Sequence, residues 1–171
     1  ALIHYSTDYV FAGTGHQPHR EDDPAQPLSV YGTTKAQGEA GIRQHLSRHL
    51  ILRTSWVMGS HGGNFLKTML RLSADRGELR VVADQTGSPT GAGDIAGALR
   101  TIALAHLADG AAPCGTYHFV NAGTTTWHGL AEAARRCSAG HPGLAGASMQ
   151  ARGGGQAHER RGGRPAAASR W

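Results

Sequence analysis

Ala1-Leu2-Ile3-His4-Tyr5-Ser6-Thr7-Asp8 decides how the rest of the chain is read. A short apolar run turns polar over its last three residues, as a buried parallel strand does where it leaves a sheet at the carboxyl edge. In open α/β sheets, ligand sites gather at that edge. One loop further on stands Tyr31-Gly32-Thr33-Thr34-Lys35. Four residues put Tyr31 and Lys35 one helical turn apart on one face. A free phenol has a pKa of about 10, too high for efficient proton transfer near neutrality. An ammonium beside it favours the phenolate and lowers that value. A Ser or Thr hydroxyl at the end of the preceding strand could hold a carbonyl oxygen in front of the phenol. This is the equipment for reducing a ketone or oxidising an alcohol with a nicotinamide. On spacing alone a solvated helix face is the better account of Tyr31 and Lys35, and the strand end beside them is what shifts the reading.

Outward from this pair, strands and helices alternate. Residues 1–6 read as a strand, 12–29 as a Pro- and Asp-rich loop, and 30–46 as a helix despite Gly32, Gly38 and Gly41, each costing about 1 kcal/mol against Ala. Residues 49–57 read as the next strand. Phe65, Leu66, Met69, Leu70 and Leu72 follow a helical period, and 79–82 read as a short strand. Residues 94–105 read as a helix with Ile95, Leu99 and Ile102 inward. A last strand is expected over 116–120, and Thr126 as the cap of a helix reaching Arg135. The fold class expected is α/β, a partial Rossmann-like, doubly wound parallel sheet with part of a small substrate-binding region.

Composition narrows the function classes. The chain has 171 residues, 39% of them hydrophobic, and no apolar run approaches the roughly 18 residues that span a membrane. The net charge of +5 invites a nucleic-acid partner, but its distribution argues against one. Residues 1–137 carry twelve Lys and Arg against eleven Asp and Glu, whereas 138–171 carry five Arg against Glu159 alone. No aromatic residues interleave those arginines apart from Trp171. Cys114 and Cys137 have no metal-type spacing and read as free thiols of a reducing cytosol, and the 11 histidines contain no zinc-type pair. After Cys137 the sequence becomes Gly, Ala and Arg without periodicity. Residues 138–171 are therefore expected to be a disordered tail or the product of a shifted reading frame, and residues 1–137 the working domain.

Ser6-Thr7-Asp8-Tyr9-Val10-Phe11-Ala12-Gly13 opens an ordered series of motifs. It continues with Arg20-Glu21-Asp22-Asp23-Pro24, Pro27-Leu28-Ser29-Val30-Tyr31-Gly32 and Leu50-Ile51-Leu52-Arg53-Thr54-Ser55-Trp56-Val57. Asn64-Phe65, Asp84-Gln85-Thr86-Gly87-Ser88-Pro89-Thr90, Gly115-Thr116-Tyr117-His118 and Thr126-Trp127 complete it. With these motifs spread over most of residues 1–137, the chain resembles the dTDP-4-dehydrorhamnose reductases of the extended short-chain dehydrogenase superfamily. A complete member opens with a strand, a Gly-rich turn and a helix that hold the cofactor's pyrophosphate. Here no Gly-x-x-Gly-x-x-Gly follows a strand, and Gly59-Ser60-His61-Gly62-Gly63 lacks the spacing. The expectation is the carboxyl-terminal part of a longer reductase, lacking the main nucleotide-binding half and inactive by itself.

The resemblance implies hydride transfer from NADPH (or NADH) to the C4 ketone of dTDP-4-dehydro-L-rhamnose. It makes Tyr31 the proton donor, Lys35 the residue that tunes it and holds the nicotinamide ribose, and Thr7 the hydroxyl on the substrate oxygen. Asp8, Trp56 and Gln85 fall on substrate-side positions. The simpler readings stand beside these: a turn aspartate for Asp8, a large core residue for Trp56. Arg53 could serve a diphosphate or pair with a buried acid. Some members bind Mg2+ through acidic residues at a dimer interface, but Gly93-Asp94 occupies the segment expected to contribute, which speaks against carrying that site over. The resemblance also implies a dTDP-sugar partner, a homodimer in the full-length parent and a cytoplasmic location. Two other readings remain open at this point. One is a non-catalytic, nucleotide-binding regulator like the regulatory subunit of methionine adenosyltransferase, and the other a related sugar-nucleotide epimerase or dehydratase.

Overall fold

A computed structural model describes residues 1–15, 17–109, 112, 114–138 and 148–152. Its principal sheet is parallel, with β1 (Leu2–Thr7), β2 (His49–Thr54) and β7 (Gly115–His118) in the order β1-β2-β7. β2 lies between the other two, and Leu50, Ile51 and Leu52 are each no more than 2% exposed. That burial explains why β2 reads as an unbroken apolar run rather than as an alternating one. Alternation persists in what its side chains meet. Leu50 and Leu52 form a core with Ile95 and Leu99 of α3 (Ala92–Asp109), while Arg53 reaches Glu39 of α1 (Val30–His45). Helices thus pack on both faces, and the α/β, Rossmann-like fold class expected from sequence is what the chain adopts.

α1 starts where its sequence says it should. Ser29 is the N-cap, its hydroxyl accepting from the Gly32 amide at 3.0 Å. Thr126 likewise accepts from Gly129 at the start of α4 (Trp127–Ser138), as expected. A second core lies where α2 (Phe65–Asp75) and α4 cover β4 (Glu78–Val82), with Leu79, Val81 and Ala131 at its centre. Two-residue ladders complete the fold: β3 (Val57–Met58) pairs in parallel with β6 (Thr90–Gly91), and β5 (Thr86–Gly87) antiparallel with β8 (Thr125–Thr126).

One sequence expectation needs correction. The strand expected over 49–57 ends at Thr54, because Trp56 takes φ 44°, a left-handed value that breaks a strand, and Val57–Met58 joins a different ladder. Within 138–171, for which a disordered tail or a shifted reading frame is expected, the described residues include β9 (Ser148–Arg152), parallel to β4 from Glu78↔Ser148 to Val82↔Arg152. Composition missed it because five residues need little apolar surface when a partner strand supplies the hydrogen bonds. The rest of that segment, 139–147 and 153–171, lies outside the described residues.

Candidate active site

Thr7 ends β1 buried, and its hydroxyl is used twice: it accepts from the Tyr9 amide at 3.3 Å and donates to Asp8 Oδ1 at 2.9 Å. It thereby caps the 3-10 turn Asp8–Val10. The first turn of α1 presses on this turn. A Cβ at Gly32 would stand 2.1 Å from the Tyr9 carbonyl oxygen, so only glycine permits the approach. Tyr31, next to Gly32, lies edge-on to Tyr9 with ring centroids 5.8 Å apart and is 54% exposed. One turn later Lys35 Nζ donates to the Tyr5 carbonyl of β1 at 2.7 Å. Tyr31 is thus placed beside Tyr9, Lys35 on the Tyr5 carbonyl, and Thr7 on Asp8, each on or next to the segment that runs from β1 into the turn. The two phenols are not equivalent. Burial, the Asp8 charge and Tyr31 push the Tyr9 phenol up, so Tyr9 stays protonated, while Tyr31 faces outward.

Trp56 sits two residues beyond Thr54, the register partner of Thr7, but its ring is covered. It is 9% exposed and stacks on Trp127 at 3.5 Å and 12°, while a Cβ at Gly87 would come within 2.4 Å of it. Trp127 is the half-buried member of the pair. With Phe65, Arg80 and Gln85 it lines a cavity of about 280 Å³. Gln85 thus shares its surroundings with Trp127 rather than with an open face of Trp56. Sequence reasoning left Trp127 out of the site. Its one signal was its place in the Thr126-Trp127 motif.

Behind the edge lies an ion pair. Arg53 donates through Nε and Nη2 to Glu39 at 2.9 and 2.7 Å, and both side chains are buried. Of the two readings open for Arg53, this is the buried acid. Burial alone would push the Glu39 carboxyl up, but hydrogen bonds and charge from Arg53, together with Arg43, hold it at about 2. His118 lies within 3.4 Å of Arg53, and burial together with that cation lowers its pKa against the opposing pull of Glu21. Among the described residues no three His, Cys, Asp or Glu gather as a metal site, Cys114 and Cys137 are unbridged, and no helix is long and apolar enough to cross a membrane.

Residues 1–153 match the model of the RmlD substrate binding domain. The chain is 50% identical over 139 residues to a dTDP-4-dehydrorhamnose reductase of Shigella flexneri, covering 79% of this chain and 46% of that protein. Among solved structures, the dTDP-4-dehydrorhamnose reductase of Bacillus anthracis in complex with NADP superposes with a TM-score of 0.80 at 32% identity, over 98% of this chain and 54% of that one. The Clostridium acetobutylicum dTDP-4-dehydrorhamnose reductase ortholog gives 0.82 at 30%, over 99% and 56%. The chain spans about half the length of the curated relatives it matches.

Proposed function

The chain belongs to the family of the RmlD substrate binding domain, and from that premise we propose that it carries the proton-transfer and sugar-side machinery of a dTDP-4-dehydrorhamnose reductase. The observation that supports the reading is that Lys35 is anchored on the Tyr5 carbonyl of β1, the strand that ends in Thr7, while Tyr31 one helical turn earlier is exposed. In this reading a C4 ketone oxygen lies at the Tyr31 phenol, and the Thr7 hydroxyl reaches it by turning its one proton away from Asp8 Oδ1. Tyr31 gives its proton to that oxygen as the carbon is reduced, which yields the C4 alcohol of dTDP-L-rhamnose. Lys35 stands one helical turn from the phenol on the same helix. Gln85 and the stacked Trp56–Trp127 wall stand on the sugar-nucleotide side, and Asp8 accepts from the Thr7 hydroxyl before the ketone arrives.

A nicotinamide cofactor, NADPH or NADH, supplies the hydride when bound. The residues at the edge fit one. Lys35 has three N–H donors and spends one on Tyr5, which leaves donors for a ribose hydroxyl. The relatives' names support a dTDP-sugar as partner, and the resemblance extends the proposal to a cytoplasmic homodimer in the whole protein.

The test replaces Tyr31 with Phe in a protein that joins this sequence to the preceding residues of the Shigella flexneri relative. With NADPH and the dTDP-ketosugar, kcat is expected to fall by about 100-fold or more while KM changes little. Unchanged turnover would refute the role of Tyr31. A parent protein that binds nucleotide but never turns over would favour the regulatory reading.

A further inference from the structure

A helix on a sheet ordinarily docks by an apolar stripe, yet the buried residues of α1 are Gly32 and Glu39. Its hold on the sheet is polar and directional. Tyr31, Lys35, Glu39 and Arg43 follow at four-residue steps and form one slowly winding stripe. Each of the last three reaches a different strand. Lys35 donates to Tyr5 of β1 at 2.7 Å, Glu39 accepts from Arg53 of β2, and Arg43 donates to Thr116 of β7 at 3.1 Å. Tyr31 is the first residue of that stripe, so its place is set by the anchors behind it.

The middle anchor is sealed from water, with Glu39 0% and Arg53 2% exposed. Arg53 also reaches beyond the helix. Its Nη1 donates to the Glu21 carbonyl at 3.3 Å, and its guanidinium lies 4.9 Å from the Phe11 ring. Phe11 closes the 3-10 turn that Thr7 opens. One guanidinium therefore ties the helix that carries Tyr31 to the turn that carries Thr7. A planar fork holding a carboxylate at two points resists both rotation and sliding, which a single ammonium does not.

We propose that Glu39 and Arg53 are positioning residues for the proton transfer: their ion pair sets the rotation and slide of α1 so that the Tyr31 phenol meets the oxygen held at Thr7. The inference rests on Tyr31 being the proton donor. Neither residue touches the reacting atoms in this reading.

The test is a double-mutant cycle in the active joined protein. Glu39→Gln and Arg53→Lys are each measured with Tyr31 and with Tyr31→Phe. Arg53→Lys keeps the charge and guards against loss of folding, which circular dichroism checks for every variant. With Tyr31 present, each is expected to lower kcat by about 30-fold with KM within about 3-fold, the scale of a misplaced reacting group. With Tyr31→Phe the same changes are expected to cost less than about 3-fold, because the phenol they position is gone. Equal losses in both backgrounds would mean a general structural role and overturn the proposal, as would full activity of a folded Arg53→Lys. If Tyr31→Phe alone left kcat intact, the proton-donor reading would fall, and the positioning role with it.

Discussion

Gly32 shows how one missing methyl group sets a site. The usual effect of Gly→Ala inside a helix is a gain of about 1 kcal/mol. At Gly32 a Cβ would meet the Tyr9 carbonyl oxygen at 2.1 Å and Pro27 Cβ at 3.0 Å, and the first of these is backbone that cannot swing aside. Overpacking of this kind costs about 1–3 kcal/mol, so it wins. At Gly41 a Cβ meets nothing within 4 Å, and the propensity gain stands. Gly32→Ala is therefore expected to lower Tm and Gly41→Ala to raise it, by about 2–4 °C per kcal/mol, in thermal melts of the chain. The same sign for both would refute the contact. Trp56 teaches the complementary lesson. An indole at a strand end reads as a ligand platform, yet its neighbours Gly87 and Trp127 cover it, and they are distant in sequence. No local pattern announces such a cover.

Between elements, the informative contact is the one joining α1 to β2. The Glu39 carboxyl is held at about 2 against an ordinary 4.5, so the folded state binds its proton less readily than the unfolded chain does. Its contribution is complete above about pH 4.5 and is lost as pH falls towards 2, on the order of 3 kcal/mol for a shift of this size. The charged groups facing it are Arg53 from β2, Arg43 from its own helix and His4 from β1. Urea unfolding measured from pH 5 to pH 2 is expected to show this acid loss, and Glu39→Gln to flatten it. An equal slope in the variant would place the acid sensitivity elsewhere. The sequence offered Arg53 two partners, a diphosphate or an acid. The acid lies fourteen residues away on a helix, and only helix-on-strand packing brings it there.

At the scale of the whole molecule, the described residues form two apolar cores rather than one. The first surrounds Leu50 and Leu52, and the second surrounds Leu79 and Val81 with Met149 of β9 packed against it. Met149→Asp puts a charge against the second core only. Amide exchange is expected to quicken at Leu79 and Val81 while Leu50 and Leu52 keep their protection. Uniform quickening would mean that the two cores unfold as one. Much of this architecture was legible beforehand. The apolar run before Ser6, the Thr126 cap, and the Ile95-Leu99-Ile102 period each encode local structure, because backbone preference and one-sided burial act over a few residues. That Tyr31 and Lys35 stand one turn apart on a single helix was legible for the same reason. The break of the chain at Trp56, the partner of Arg53, the cover over Trp56 and the pairing of β9 with β4 were decided by tertiary structure alone. Each depends on residues that are far apart along the chain and meet only after the sheet and helices have packed, so no periodicity within a single segment records them.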